Sequence, residues 1–132
     1  MGSIFVIPEE YRRPESIEVG IKLLEYYIKN KNHDKGLISY GRLCDMLSFD
    51  VHPRVVDIYL GDVSYACKEN GLPPISAIVV SGNDSTPGDG FYKAYCPGKK
   101  GDERIVEWVK ILDEIHAYEN WNQVLEAYRM IG

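Results

Sequence analysis

The sequence predicts an α+β fold that is mainly helical: a winged helix-turn-helix with a small antiparallel β wing and extra N- and C-terminal helices. Two short helical patterns follow each other closely, at residues 39–47 and 53–69. They lead into an apolar, β-branched run at 75–80 and a glycine-rich turn at 82–90. Helix, turn, helix, strand and hairpin tip in this order are typical of a winged helix.

Length and composition indicate a single domain. A chain of 132 residues is long enough to bury its own core. Its 45% hydrophobic and 27% charged residues are the balance of a globular protein in water. We expect one domain over 1–132, with a winged-helix core at 37–91, an N-terminal helix at 14–30 and acidic C-terminal helices at 102–131.

The N-terminal helix is predicted from a proline and a helical repeat. Pro14 suits the first turn of a helix, where the missing N–H costs nothing. Apolar side chains then recur at three- and four-residue steps, at Ile17, Ile21, Leu24 and Ile28. This spacing forms one apolar stripe along the helix and predicts that the stripe is buried.

The two helices of the helix-turn-helix have their own start and stop signals. Ser39 is the predicted N-cap of the first helix, because its hydroxyl can accept a free N–H of the first turn. Pro53 opens the second helix after a turn at 48–52. Asn70-Gly71 ends it, since glycine tolerates the left-handed conformation at a helix end. Its buried stripe is predicted at Val56, Tyr59, Leu60, Val63 and Cys67.

The predicted wing consists of two short strands and a turn. Residues 75–80 form the first strand, and 82–90, which include Gly88-Asp89-Gly90, form the hairpin tip. Residues 91–96 alternate aromatic and small side chains and are expected to pair back antiparallel. Beyond the wing, apolar stripes predict C-terminal helices on either side of a break near Asn120.

The charge distribution limits the partners that this chain can bind tightly. The net charge is −5, of which residues 31–70 carry −1 and residues 101–132 carry −4. Non-specific DNA affinity depends mainly on Lys and Arg side chains that neutralise phosphates. The helix-turn-helix therefore lacks the charge of a strong DNA binder, and the acidic C-terminal helices favour a basic partner.

The sequence carries no catalytic, metal or cofactor signature. His33, His52 and His116 lie far apart, so they do not form a metal-binding pair of the HxxxH kind. The three cysteines include no CxxC pair, which argues against a disulfide framework and a zinc site. Ser76 lies in an apolar run without a G-x-S-x-G elbow. We expect a protein that is not an enzyme and uses no cofactor.

Targeting and membrane signals are also absent from the sequence. No apolar run approaches the roughly 20 residues that span a membrane. The first residues, 1–8, lack the charged start and the cleavage-site pattern of a signal peptide. We therefore expect a cytoplasmic protein that does not engage the membrane.

Candidate binding residues are concentrated at the starts of the two helices. Arg54 begins the second helix, where helix-turn-helix proteins contact nucleic acid, and His52 lies beside it as a turn residue or a contact. Tyr40 and Arg42 lie in the first turn of the first helix, whose free N–H groups can bind a phosphate. Flanking positive charge would come from Lys68, Lys93, Lys99 and Lys100.

These elements resemble the DNA-binding domain of O6-alkylguanine-DNA alkyltransferases and the alkyltransferase-like proteins. The resemblance rests on Ser39-Tyr40-Gly41-Arg42-Leu43, on the segment 54–60, on Val79-Val80 and on Gly88-Asp89-Gly90. In that family a tyrosine contacts the target phosphate, and an arginine enters the minor groove and replaces a flipped base. The resemblance implies these roles for Tyr40 and Arg54.

The resemblance does not extend to the family's acceptor cysteine. When Val79-Val80 is aligned with the end of the family's Pro-Cys-His-Arg-Val-Val segment, Ser76 occupies the cysteine position and Ile78 the arginine position. The resemblance therefore implies DNA binding without alkyl transfer.

Three other hypotheses remain open. One is an acidic protein-binding domain, such as an immunity protein, antitoxin or anti-defence inhibitor that docks on a basic nuclease or toxin. The second is an enzyme of a type that carries none of the signatures above. The third is a small-molecule sensor, which a deep pocket lined by tyrosine and tryptophan would favour.

Overall fold

The structure is a computed structural model that describes residues 4–82 and 86–132. Over these residues the chain forms six α-helices and two short strands, joined by turns and short 3₁₀ helices. In chain order they are α1 (Pro14–Asn30), β1 (Ile38–Ser39), α2 (Tyr40–Asp45), α3 (Val56–Glu69), β2 (Val79–Val80), α4 (Asp89–Tyr95), α5 (Asp102–Ala117) and α6 (Trp121–Ile131). The 3₁₀ helices are Glu9–Tyr11, Asp34–Gly36 and Ile75–Ile78.

Helix α1 lies at the centre of the fold and packs against α3 and α6. Of its predicted apolar stripe, Ile17 and Leu24 are buried, whereas Ile21 and Ile28 are only partly buried at the edge of the core. The buried face is centred instead on Val19, Leu23 and Leu24, which are fully enclosed. Gly20 faces α6, where a Cβ at this position would lie 2.6 Å from Cε1 of Tyr128. The two helices can therefore approach closely only because this residue has no side chain.

The two helices of the predicted helix-turn-helix are present as α2 and α3. The N-cap prediction is confirmed, because the Arg42 N–H donates to Oγ of Ser39 at 3.2 Å. Helix α3 begins at Val56, three residues later than predicted, because residues 53–55 form a turn. In that turn the Arg54 N–H donates to Nδ1 of His52 at 3.1 Å.

The predicted stop of α3 is also confirmed, and it fixes the N-terminal segment. Asn70 is the C-cap and Gly71 follows with a φ of 72°. The Asn70 side chain donates to the carbonyl oxygen of Val6 at 2.8 Å and accepts the Val6 N–H at 2.9 Å. The end of α3 therefore anchors the extended residues 4–7 to the core.

The predicted antiparallel β wing is wrong. Strand β2 covers only the last two residues of the predicted strand and pairs with β1 in parallel, Ile38 opposite Val79. The residues before it, 75–78, form a 3₁₀ helix, and all of 75–80 is buried. A segment enclosed on every side cannot project from the domain as a wing. The predicted hairpin tip at 82–90 lies partly outside the described residues.

The predicted second wing strand, 91–96, belongs instead to helix α4 and its C-cap. Its aromatic residues recur at a spacing that fits a helix, because Phe91 and Tyr95 lie four residues apart and their ring centroids stack at 5.1 Å. A short run of apolar and small residues fits both the helical and the strand periodicity, so the pattern alone cannot distinguish a helix from a strand here.

The acidic C-terminal helices pack away from the outer face of α3. Helix α6 lies against α1, and α5 lies against the 3₁₀ helix at 75–78. There Nε1 of Trp108 donates to the carbonyl oxygen of Ala77 at 2.8 Å. Arg54, in the turn before α3, and Ile58, on the outer side of α3, remain exposed.

Candidate functional site: a pocket between α3 and α4

A pocket of about 300 Å³ lies between α3 and α4, with Tyr40 at its edge. Apolar side chains, among them Leu60 and Phe91, form much of its walls. The fold places it there because α4 packs beside α3 and the buried 3₁₀ helix brings Ser76 to its floor. An apolar pocket with a few convergent polar groups is the usual form of a small-molecule site.

Three hydroxyl groups meet at the floor of this pocket. Ser64 and Ser76 are 4% and 6% exposed, and their oxygens are in hydrogen-bond contact. Because the Ser64 hydroxyl donates to the carbonyl oxygen of Leu60 at 2.9 Å, the proton between the two serines belongs to Ser76. Ser76 therefore presents only acceptor lone pairs to the pocket.

The third hydroxyl is that of Tyr95, which lies against Ser64. Burial raises the pKa of this phenol, so it stays protonated near neutral pH. The Tyr95 oxygen is closed to solvent, and Ser64 is its polar neighbour, although no hydrogen bond of ordinary geometry joins the two among the described residues. A buried polar atom in this state is costly, and the cost needs an explanation.

Tyr40 and Asp57 form the mouth of the pocket. The Tyr40 hydroxyl accepts the Gly88 N–H at 3.3 Å and is hydrogen-bonded to the Asp57 carboxylate. Burial, followed by the nearby Asp57 charge, raises the pKa of Tyr40 to about 12. Partial desolvation also raises the pKa of Asp57, although the Tyr40 hydrogen bond opposes that shift. Tyr40 is thus a neutral donor to a carboxylate.

Gly88 lets the chain before α4 approach this mouth closely. A Cβ at Gly88 would lie 3.0 Å from the Tyr40 hydroxyl, which is closer than an ordinary contact, whereas one at Gly90 would lie at the ordinary contact distance of 3.6 Å from Oδ2 of Asp57. Within Gly88-Asp89-Gly90, which predicted a wing, Gly88 thus serves the close packing of this segment against Tyr40.

The structure brings only some of the predicted site residues together. Tyr40 lies in the pocket wall beside Asp57, with the Tyr40 hydroxyl already engaged. Ser76, which was of interest only because the sequence resemblance aligned it with an acceptor cysteine, lies at the floor of the same pocket. Arg54 and His52 are exposed together in the turn before α3.

The remaining predicted contacts are dispersed over the surface. The Arg42 guanidinium lies over the Tyr26 ring, 5.4 Å from its centroid. Lys68 is exposed at the C-terminal end of α3. Lys93 and Lys99 line a separate surface depression beyond α4, next to Lys100 in sequence. Their roles in binding stay predictions.

Sequence reasoning missed Ser64 and Tyr95 as members of a site. The available signal for Ser64 was its position: a polar residue four places after Leu60, next to the predicted buried stripe of α3. Tyr95 gave no comparable signal, because its segment was assigned to a strand. Tyr95 lies near Ser64 and Ser76 only because α4 lies beside α3 in the fold, and the sequence pattern carries no sign of that arrangement.

Comparison of this chain with protein-family models, with curated proteins and with solved structures found no match. Over residues 4–82 and 86–132, no three His, Cys, Asp or Glu side chains are grouped so that they could hold a metal ion. In the same part of the chain, every helix is too short or too polar to cross a membrane. The fold and the pocket therefore define a class only: a mainly helical α+β protein with a pocket of small-molecule size beside α3.

Proposed function

We propose that this protein is a non-enzymatic binding module that contacts nucleic acid, with DNA as the expected partner, through the N-terminal half of α3. The observation that carries this proposal is the exposure of that helix start. Arg54 is exposed, and two large apolar side chains next to it, Val55 and Ile58, are 43% and 52% exposed. An arginine beside apolar side chains suits the base edges and thymine methyl groups of a DNA groove.

The packing of the C-terminal helices supports the same proposal. The carboxylates of α5 and α6 would repel phosphates if these helices lay across α3. They pack instead on the 3₁₀ helix at 75–78 and on α1. The module then resembles alkyltransferase-like proteins in binding without chemistry, since a serine, Ser76, stands where that family has its acceptor cysteine.

Titration of a fluorescently labelled duplex at low salt, followed by anisotropy, tests this proposal. Because few basic side chains surround Arg54, we expect a dissociation constant of about 10⁻⁵ M that weakens as salt increases. Arg54→Ala should weaken binding by about 3- to 10-fold, as expected for loss of one charged contact. Lys110→Ala, which removes the same charge from α5, is the matched control.

The control also defines the outcome that contradicts the proposal. If Arg54→Ala and Lys110→Ala lower the affinity equally, the interaction is diffuse and α3 is not the contact face. If no binding is seen at a protein concentration of about 10⁻⁴ M, which is 10-fold above the expected dissociation constant, DNA is excluded as the partner.

A second candidate, an acidic protein-binding domain, is favoured by the outer face of α5. This helix exposes three apolar side chains, Ile105, Val106 and Val109, which are 42%, 59% and 37% exposed. Exposed carboxylates accompany them on the same helix, at Asp102, Glu103, Asp113 and Glu114. Apolar contacts surrounded by negative charge suit a partner with a basic rim, such as a nuclease or toxin.

Affinity purification with three baits separates this candidate from the first. The wild-type chain should retain a basic protein that a Val106→Lys bait loses, because the new charge lies at the most exposed apolar position of α5. Arg54→Ala should retain it. Equal retention by wild type and Val106→Lys would show that α5 is not the contact surface.

A further inference from the structure

We propose that the pocket between α3 and α4 binds a small monoamine, whose ammonium group lies at Asp57 and whose apolar body fills the pocket. Four features support this ligand, whatever partner α3 binds. They are the shape of the cavity, a glycine that keeps it open, its apolar walls and the carboxylate at its mouth.

The pocket is a groove that follows two turns of α3. The lining residues of this helix run from Asp57 to Tyr65, which corresponds to about 12 Å along a helix axis. Helix α4 follows α3 in the same direction, because Gly90 lies beside Asp57 and Tyr95 lies beside Ser64. A ligand in the groove therefore extends from the carboxylate end, next to Gly90, towards Tyr65.

Gly61 keeps the middle of this groove open. It lies in the interior of α3, one turn after Asp57 and one turn before Tyr65, and all three residues line the pocket. A Cβ at Gly61 would meet no heavy atom within 4 Å. Close packing therefore does not require a glycine here, although alanine is favoured over glycine in a helix interior. A larger side chain at this position would enter the space that a ligand needs.

The volume and the walls determine the body of the ligand. The volume is about 300 Å³, at the lower limit for pockets that bind small organic molecules. An apolar cavity of about 150 Å³ in another protein holds a single benzene ring. Apolar and aromatic side chains form much of the walls, among them Ile58, Leu60, Tyr65 and Phe91. The pocket therefore has room for one apolar ring on a short chain.

Asp57 determines the charge of the ligand. Among the described residues that line the pocket there is no lysine, no arginine and no second carboxylate. The Tyr40 hydroxyl gives Asp57 one hydrogen bond, whereas an ionised carboxylate has about four acceptor positions. Partial desolvation raises the pKa of the Asp57 carboxyl, so its charge is incompletely compensated. An ammonium group supplies three N–H donors and the opposite charge, and neighbouring aromatic rings also attract a cation.

Protein-observed NMR titration with four probes tests the charge and the apolar body separately. 2-Phenylethylamine carries both, 2-phenylethanol lacks the charge, 3-phenylpropionate reverses it, and methylamine lacks the apolar body. We expect 2-phenylethylamine to shift the amide resonances of Asp57, Gly61 and Gly90 in a saturable way, with a dissociation constant of about 10⁻⁴ M for a ligand of this size. The other three probes should bind at least about 10-fold more weakly, through loss of a charge-assisted hydrogen bond or of apolar contact.

Substitutions identify the groups responsible. Asp57→Asn removes the charge and keeps the shape of the side chain, so it should weaken binding of 2-phenylethylamine by about 10-fold and leave 2-phenylethanol unchanged. Asp113→Asn, which removes the same charge from an exposed position of α5, is the matched control. Gly61→Leu should abolish binding of both probes by filling the groove, and urea unfolding checks that this variant is folded.

Four results would overturn the inference. The first is no shift of these resonances at about 10⁻² M 2-phenylethylamine, which is 100-fold above the expected constant. Equal binding of 2-phenylethylamine and 2-phenylethanol would show that the carboxylate does not select the ligand. Equal losses in Asp57→Asn and Asp113→Asn would show that the amine responds only to the net charge of the protein. Binding that persists in folded Gly61→Leu would place the ligand outside the groove.

The same measurements are independent of the proposed function. None of them involves DNA, so failure of duplex DNA to bind would refute the proposed function and leave the monoamine site intact. Loss of the monoamine site would in turn leave the contact of Arg54 with DNA untouched.

Discussion

Replacement of Gly20 by alanine tests the packing at the centre of the fold. Gly20 lies in the interior of α1, where a Cβ would lie 2.6 Å from Cε1 and 2.8 Å from Cδ1 of Tyr128. The Tyr128 ring is fully buried, so it has little space into which it can move. Gly61 in α3 is the matched position, because a Cβ there meets no heavy atom within 4 Å.

The two substitutions should change stability in opposite directions. Alanine in a helix interior is favoured over glycine by about 1 kcal/mol. Gly61→Ala should therefore raise the free energy of unfolding by up to about 1 kcal/mol. At Gly20 the same gain is opposed by overpacking, which costs about 1–3 kcal/mol and more when a rigid ring is involved. We expect Gly20→Ala to lower the free energy of unfolding by about 1–2 kcal/mol.

Urea unfolding followed by tryptophan fluorescence measures both changes, provided that the slope of the free energy of unfolding against urea concentration is the same for wild type and variants. In a Tyr128→Leu background, Gly20→Ala should lower the free energy of unfolding by less than it does in the wild type, because the ring that clashes with the new Cβ is absent. If Gly20→Ala is as stable as Gly61→Ala, α1 and α6 do not pack as closely as the structure places them.

Three further predictions concern hydrogen bonds and a buried thiol. Asn70→Ala should lower stability by about 1–2 kcal/mol and speed hydrogen exchange at the Val6 amide, since both backbone bonds of Val6 to this side chain are lost. Trp108→Phe should lower stability by about 1–3 kcal/mol by leaving the Ala77 carbonyl unpaired, measured by urea unfolding. Burial raises the pKa of Cys67 to about 12. The stability that the buried, protonated thiol contributes is fully present below about pH 9 and is lost as the pH rises through 12. In thermal scans, the difference in Tm between wild type and Cys67→Ala should therefore shrink at alkaline pH.

The parts of the fold that the sequence predicts well are those with local causes. The cap at Ser39 depends on a hydroxyl and an N–H three residues apart, and the stop at Asn70-Gly71 depends on a conformation that glycine adopts easily. The helix α1 itself, with Ile17 and Leu24 on its buried face, follows from the spacing of its apolar residues. Each of these signals lies within one turn or one helix, so no knowledge of the rest of the chain is needed.

The prediction of a wing failed because the pairing of a strand depends on partners that are far away in the sequence. Apart from Ser76, residues 75–80 are apolar, which fits a strand and equally fits any fully buried segment. Whether they pair with 91–96 or with 38–39 is decided by which segments the core brings together. The pocket has the same origin, because Ser64, Ser76 and Tyr95 come from separate elements and meet only when α4 packs on α3.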